Sequence, residues 1–205
     1  MLCESERERA GRFLVAGARR RFVLARAGLR TLLGEALGAD PTALQFREAR
    51  HGRPELAGAH DGALAFNLAH SGDLAVVAWR SGGLLGVDLE LLRGLERMDE
   101  LAEETLGAAE LEDWRASPAD SRANAFFASW TRKEAVLKAT GVGLSGGLRG
   151  LDVRGPSPLA IQFEGHALVL LDLDVGPNFR AALAADTPRP AVGVAPAPAL
   201  RTIWH

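Results

Sequence analysis

The sequence contains one long helical run, Ser121–Thr140, whose apolar stripe also holds a carboxylate. The stripe passes through Phe126, Phe127, Trp130 and Leu137. Glu134 falls inside or at the edge of this stripe, and Lys138 follows it one turn later on the same side. A buried carboxylate must be paired, hydrogen-bonded or metal-bound, because burying it alone is costly. The alternative is a Glu-to-Lys pair on a solvated helix face, worth about 0.2–0.5 kcal/mol.

A predicted strand, Leu84–Glu90, carries two acidic residues on one face. Asp88 and Glu90 are two positions apart, so both side chains point to the same side of the sheet, where their neighbours are apolar or small. Two carboxylates on one face repel each other unless a cation lies between them, and Mg²⁺ prefers carboxylate and water oxygens. The alternative is a strand end that has already reached solvent, with both acids hydrated.

Composition excludes several classes of protein. The chain has 205 residues, of which 47% are hydrophobic, enough for one large domain or two small ones. The net charge of −2 provides no field that would attract nucleic acid or a membrane. Cys3 is the single cysteine, which leaves no disulfide and no cysteine-based zinc site. No apolar stretch resembles a signal peptide or approaches the roughly 18 residues of a membrane span, so we expect a cytoplasmic protein.

The order of elements predicts an α+β fold built from two similar lobes. Residues 4–38 read as helix, either continuous or broken near Gly17, and strands follow at 44–50, 64–68, 74–79 and 84–90. Helices are predicted at 99–106, 109–116 and 121–140, and strands at 151–153, 159–163, 167–175 and 179–184. A further strand is possible at 192–195, in an otherwise irregular tail. Each half begins with helix and continues as a short antiparallel meander, so we expect residues 1–95 and 96–205 to form two lobes with a ligand site between them.

Further polar residues complete a set typical of phosphoryl transfer. His70 and Ser71 are predicted in a loop, and Arg21 and Arg53 are basic residues on the first helix and on a turn. Three carboxylates suit one hard cation, and His, Lys and Arg side chains suit phosphates.

At these positions the sequence resembles the phosphopantetheinyl transferases, in particular their larger, pseudo-dimeric type. The resemblance covers most of residues 5–185. It is carried by Gly86-Val87-Asp88-Leu89-Glu90, Trp130-Thr131-Arg132-Lys133-Glu134-Ala135-Val136-Leu137-Lys138, Gly52-Arg53-Pro54, Phe66-Asn67-Leu68-Ala69-His70-Ser71-Gly72 and the arginine-rich first helix. The family fold implies two lobes related by pseudo-two-fold symmetry, each with helices packed on a small antiparallel sheet, in a monomer.

The resemblance also implies an activity and a role for each matching residue. The 4′-phosphopantetheine arm of coenzyme A would move to a serine of an acyl or peptidyl carrier protein. The implied Mg²⁺ ligands are Asp88, Glu90 and Glu134. Glu134, or a water on the metal, would take the serine proton, and Lys138 would stabilise charge on the pyrophosphate. The implied contacts to coenzyme A are Arg21, Arg53, His70, Ser71 and Lys138, with Arg9 a weaker candidate.

The sequence departs from the family pattern in three places. Position 53 is Arg where Lys is frequent, position 69 is Ala where Ser is usual, and the first helix lacks a clean Lys-x-x-Lys pattern. None of these changes touches the implied metal ligands. The alternatives are a catalytically inactive homologue that binds coenzyme A or a carrier protein, and a structural domain whose acids are solvated.

Overall fold

The computed structural model describes residues 2–49, 52–143 and 147–186, together with the backbone of two short strands near the C-terminus. The helices are α1 (Glu4–Gly11), α2 (Ala16–Leu37), α3 (Met98–Thr105), α4 (Ala108–Ala116) and α5 (Arg122–Thr140). The strands are β1 (Gln45–Glu48), β2 (Pro54–Ala57), β3 (Ala65–Ser71), β4 (Leu74–Arg80), β5 (Leu85–Leu91), β6 (Leu159–Phe163), β7 (His166–Asp172), β8 (Phe179–Ala185), β9 (Ala191–Pro196) and β10 (Arg201–Ile203). Short 3-10 helices occur at Gly58–His60 and Leu148–Gly150.

The chain divides into two compact units, the first comprising Met1–Gly82 and Ala191–His205 and the second Gly83–Pro190. The division predicted from the sequence ran between residues 95 and 96. The difference has a physical reason, because β5 is hydrogen-bonded along its length to β8 and therefore belongs with the later strands. The final strands return to the first unit, because β9 pairs with β4.

The first unit packs α2 over two antiparallel sheets. One sheet contains β1 and β2, and the other has the order β10-β9-β4-β3. The core is made of Leu29, Leu32 and Leu33 of α2 with Leu44, Leu56, Phe66, Val77 and Trp79. The helix ends at Gly38, whose φ of 62° is a left-handed conformation that favours glycine. The predicted helical region is broken at residues 12–15, close to the break expected near Gly17, which itself lies inside α2.

A buried ion pair joins α1 to α2. The Arg30 side chain is 1% exposed, and its Nε donates to Glu6 Oε2 at 2.7 Å. Its Nη1 donates to the carbonyl oxygens of Pro41 and Leu44, both at 2.8 Å. Arg30 therefore also holds the loop that leads into β1.

The second unit packs α5 against a four-stranded antiparallel sheet of order β5-β8-β7-β6. One side of α5 joins the sheet core through Ala135, Val136 and Ala139. Another side packs with α3 and α4 through Phe126 and Phe127. Because α5 is buried on both sides, the positions of its polar residues are tightly fixed.

Glycine at position 86 allows β5 to approach α5 closely. A Cβ placed there would lie 2.1 Å from the Ala135 carbonyl oxygen and 2.4 Å from the Ala139 nitrogen. Both are backbone atoms of α5, so a larger residue would force the helix away from the strand.

The mixture of helices with small antiparallel sheets agrees with the predicted α+β class. Two local predictions were wrong. Residues 151–153 form no strand, and His70 and Ser71 lie within β3 rather than in a loop, with the turn at Gly72 and Asp73. Trp204, whose docking the sequence left open, lies outside the described residues. Across the described residues, no helix combines the length and the apolar character needed to cross a lipid bilayer.

Candidate functional site

The polar site of the second unit begins on β5. Gly86, Asp88 and Glu90 alternate with Leu85, Val87 and Leu89, which are buried. Since Gly86 contacts α5, the two acids that share its face point to the side on which the helix runs. Asp88 is itself only 6% exposed, whereas Glu90 is half-buried near the end of the strand.

Helix α5 supplies the other two members of the site. Lys138 Nζ donates to Asp88 Oδ1 at 2.6 Å and to the Val87 carbonyl oxygen at 3.3 Å. Glu134 lies one turn earlier on the same side of α5 and is half-buried. The structure therefore brings Asp88, Glu134 and Lys138 together across the β5–α5 contact. Lys138 pairs with Asp88, and one oxygen of Glu134 is buried, so these two residues of α5 do not lie on a fully solvated helix face.

The carboxylates of this site repel one another. Burial raises the pKa of Glu134, the negative charges of Asp88 and Glu90 raise it further, and the Lys138 ammonium opposes both effects. Burial also raises the pKa of Asp88, against the charge and hydrogen bond of Lys138. The Lys138 charge therefore does not fully offset the burial of Glu134 and its repulsion by the two other acids.

Two carboxylate oxygens of the site fit a further cation. Asp88 Oδ2 and Glu134 Oε1 are buried and have no hydrogen-bond partner. Such oxygens are the ligands that Mg²⁺ prefers. Within the part of the chain that the structure describes, however, no group of three or more His, Cys, Asp or Glu side chains is close enough to hold a metal ion together. The three-carboxylate metal site expected from the sequence therefore stays a prediction, and in this structure the Lys138 ammonium is the cation that contacts Asp88.

A second buried ion pair, which the sequence did not indicate, supports α5 from the opposite direction. Lys133 is fully buried, and its Nζ lies 2.5 Å from Glu110 Oε2. It also donates to the carbonyl oxygens of Leu148 and Leu151 at 2.6 and 2.7 Å. Glu110 accepts from the backbone nitrogens of Gly107 and Val153. The Lys133 side chain therefore contacts α4 and residues 148–151, not the acids of β5.

One sequence signal could have revealed Glu110. It lies three residues after Gly107, and this is the spacing at which a glutamate caps the start of a helix. Lys133 also requires a partner, because its helix is buried on two sides. This partner lies on another element, so no spacing in the sequence identifies it.

The four residues predicted to contact coenzyme A from the early chain all belong to the first unit. Arg21 is exposed on α2. Arg53 is half-buried, and its Nη2 donates to the Phe66 carbonyl oxygen at 3.1 Å, which holds it against β3. His70 is exposed and Ser71 is buried. Because consecutive strand residues point to opposite faces, His70 and Ser71 do not present their side chains to the same side.

Comparisons with known proteins place the chain among the 4′-phosphopantetheinyl transferases. Residues 84–180 match the model of the 4′-phosphopantetheinyl transferase superfamily, and residues 1–81 match that of the 4′-phosphopantetheinyl transferase N-terminal domain. The 4′-phosphopantetheinyl transferase HetI of Nostoc sp. is 39% identical over 70% of this chain and 61% of its own length. The 4′-phosphopantetheinyl transferase of Bacillus subtilis is 28% identical over 81% of this chain and 69% of its own.

One solved structure adds a weaker likeness. The holo-[acyl-carrier-protein] synthase of Thermotoga maritima aligns with a TM-score of 0.36 and 18% identity, over 50% of this chain and 61% of that chain. This likeness is too distant to argue from. The chain spans about three fifths of the length of the Nostoc relative.

Proposed function

The chain belongs to the 4′-phosphopantetheinyl transferase superfamily, in its larger type, and we propose that it transfers the 4′-phosphopantetheine moiety of coenzyme A to a serine of an acyl or peptidyl carrier protein. The observation that supports this proposal best is the cluster of Asp88, Glu134 and Lys138, with its two buried carboxylate oxygens that lack partners. The proposed setting is a cytoplasmic monomer.

The proposed reaction is a substitution at the β-phosphorus of coenzyme A. The serine oxygen forms a new bond to this phosphorus, and the bond to the bridging oxygen of the pyrophosphate breaks. Adenosine 3′,5′-bisphosphate leaves with that oxygen, and the serine proton passes to a base. Nothing is oxidised or reduced.

Mg²⁺ is the cation that we propose for Asp88, Glu90 and Glu134. When bound, it would neutralise the pyrophosphate and orient it for attack. The unpartnered oxygens of Asp88 and Glu134 support this assignment. Because Glu134 and Asp88 are coupled by charge, neutralising one would ease the ionisation of the other.

Two residues of α5 would act on the reacting groups. Glu134, or a water on the metal, would take the proton of the serine hydroxyl. Lys138 would offer its ammonium to the pyrophosphate as negative charge develops on the leaving group. Its contact with Asp88 already directs the ammonium to the side of α5 that carries Glu134.

Residues of the first unit would bind the cofactor. The guanidinium groups of Arg21 and Arg53 suit phosphate oxygens, and His70 is exposed and available for a similar contact. Ser71 is the least accessible of the four proposed contacts, at 9% exposed. We expect its contribution to be smaller than that of His70.

A second candidate function is coenzyme A or carrier-protein binding without catalysis. Two observations favour it. The described carboxylates do not form a group that could hold a metal ion, and Asp88 is already paired with Lys138. Both candidates require the same binding residues, so they differ only in whether the phosphopantetheine group is transferred.

Mass spectrometry of carrier proteins tests the proposal. Several apo carrier proteins are incubated with coenzyme A, Mg²⁺ and this protein, and the phosphopantetheine adduct is measured on the serine. We expect an adduct with the wild type and a loss of at least about 100-fold with Lys138→Met, which removes the charge that stabilises the leaving group. Lys138→Arg, which retains a positive charge, should lose less. No adduct on any carrier, with coenzyme A binding retained, would favour the second candidate.

A further inference from the structure

The β5–β8 ladder places an arginine beside the acids of the site. In this antiparallel pair Glu90 lies directly opposite Arg180, just as Asp88 lies opposite Ala182. Residues directly opposite each other in such a pair share a face of the sheet, with Cβ atoms about 4.5–5.5 Å apart. Arg180 is therefore the immediate neighbour of a proposed Mg²⁺ ligand, although the two residues lie far apart in the sequence.

The face that holds Arg180 is the one on which α5 packs. Ala182 and Ala184 alternate with inward-facing neighbours along β8 and belong to a core cluster that also contains residues of α5. Gly86, which lies opposite Ala184, contacts the backbone of α5 as well. Because side chains two positions apart in a strand share a face, the Arg180 side chain lies on the same side of the sheet as Asp88.

This end of the ladder is more open than the rest. Along β8, the five residues that follow Arg180 are buried, whereas Arg180 itself is half-buried. Along β5, the five residues that precede Glu90 are buried, whereas Glu90 and Leu91 are half-buried. Both strands thus emerge from the core at the row formed by Glu90 and Arg180, where a bound molecule can reach the two side chains.

The Arg180 guanidinium retains unused capacity for an anion. Its Nη1 donates to the Phe179 carbonyl oxygen at 2.6 Å. Among the residues that the structure describes, Arg180 forms no ion pair with Glu90 or with another carboxylate. A guanidinium presents several N–H donors in a fixed fork, so most of them remain available to a ligand. A cross-strand ion pair with Glu90 therefore does not account for this arginine.

We propose, on the basis of the proposed transferase function, that Arg180 binds the pyrophosphate of coenzyme A beside the metal that Glu90 would help to hold. Three carboxylates and a pyrophosphate carry more negative charge than one Mg²⁺ and Lys138 offset, so a further cation would stabilise the bound state. The planar guanidinium fork suits two phosphate oxygens at once. Lys138 would oppose the charge that develops on the leaving group from α5, and Arg180 would do so from β8.

Calorimetric titration with two probes tests this contact in the full chain, with Mg²⁺ present and no carrier protein. Coenzyme A is one probe, and dephospho-coenzyme A, which keeps the pyrophosphate but lacks the 3′-phosphate, is the other. Arg180→Gln should lower the affinity for both at least about tenfold, through loss of a charge-assisted hydrogen bond. Arg180→Lys should lose less, because it keeps the charge without the fork.

The matched control is Arg149→Gln, at an exposed arginine of the same unit on the short helix Leu148–Gly150. This variant should bind both probes as the wild type does. Circular dichroism establishes whether Arg180→Gln folds, and Arg180→Lys provides the comparison if it does not. Unchanged affinity for both probes in the Arg180 variants would overturn the proposal, as would an equal loss in Arg149→Gln.

Two further outcomes would overturn the role of Arg180 while leaving the proposed transferase function intact. A loss confined to coenzyme A, with dephospho-coenzyme A bound normally, would place Arg180 at the 3′-phosphate. An unchanged affinity for coenzyme A with a raised KM for the carrier protein, measured by mass spectrometry of the adduct, would place Arg180 at the carrier surface. No binding of coenzyme A by the wild type would overturn both the role of Arg180 and the transferase function.

Discussion

At the scale of single residues, the site is defined by two buried carboxylate oxygens that have no hydrogen-bond partner. One carboxylate oxygen of Asp88 accepts from Lys138, and the other has no hydrogen-bond partner. Glu134 also has one buried oxygen without a hydrogen-bond partner. A protein under selection for stability alone would fill such positions with apolar residues, which often stabilise at least as well. The acids of this site therefore have a measurable cost in stability in the absence of a ligand.

Glu134→Gln should raise the stability of the metal-free protein at neutral pH. The pKa of Glu134 is raised above its ordinary value of 4.5, so the folded state binds its proton more tightly than the unfolded state does. Stability from this group is therefore present below pH 4.5 and is lost as the pH rises through the folded pKa. Glutamine keeps the shape of the side chain and removes the ionisation.

Thermal unfolding between pH 4 and pH 8 in a metal chelator measures this effect. The wild type should lose more stability across that interval than Glu134→Gln, and the variant should have the higher Tm at pH 7. Glu112→Gln, at an exposed position on α4, is the control for removing one negative charge. Equal pH profiles for wild type and Glu134→Gln would show that Glu134 is not held in an unfavourable environment.

At the scale of elements, the site depends on how α5 is fixed on its two sides. The glycine at position 86 sets the distance to β5, and the Lys133–Glu110 pair fixes α5 to α4 and to residues 148–153. Asp88 and Lys138 face each other only because this helix lies so close to the strand. Changes at these supporting positions should affect both stability and the site.

Gly86→Ala should destabilise the second unit by about 1–3 kcal/mol, the usual cost of forcing extra volume into a packed core. The added Cβ would meet backbone atoms of α5 at 2.1 and 2.4 Å, which cannot rotate away as a side chain could. Gly94→Ala is the matched control, because a Cβ there would contact nothing within 4 Å. Urea unfolding measures both variants, and an unchanged midpoint for Gly86→Ala would contradict the close approach.

Lys133→Met should cost about 3–5 kcal/mol, because it leaves the buried carboxylate of Glu110 without its cation. Adding Glu110→Gln should recover part of the loss, since glutamine removes the buried charge and can still accept from one of the two backbone N–H groups that Glu110 binds. Arg115→Met, which breaks an exposed pair with Glu103, should cost at most about 1 kcal/mol. Urea unfolding of the single and double variants checks the coupling, and strictly additive effects would show that the two side chains do not interact.

At the scale of the whole molecule, sequence periodicity predicted local elements well and long-range pairing poorly. The predicted helix at 121–140 and strand at 84–90 lie within one residue of α5 and β5, because capping signals and alternation are local. The unit boundary and the pairing of β9 with β4 depend on hydrogen bonds between distant segments, which have no local signature. For the same reason Asp88, Glu134 and Lys138 could be named from the sequence, whereas the ion pair between Lys138 and Asp88 could not.

Mg²⁺ should raise the thermal stability of the whole protein, because a ligand that binds only the folded state stabilises it. The gain would be about 2.7 kcal/mol at a concentration 100 times the Kd. The physical source is specific to this chain, since the cation would relieve repulsion among Asp88, Glu90 and Glu134 and satisfy two buried oxygens.

Asp88→Asn should remove most of the Mg²⁺-dependent rise in Tm, while Asp99→Asn, at an exposed position on α3, should retain it. A Tm that responds to Mg²⁺ equally in all three proteins would place the binding site elsewhere. It would also leave the unpartnered oxygens of Asp88 and Glu134 without the cation that we propose for them.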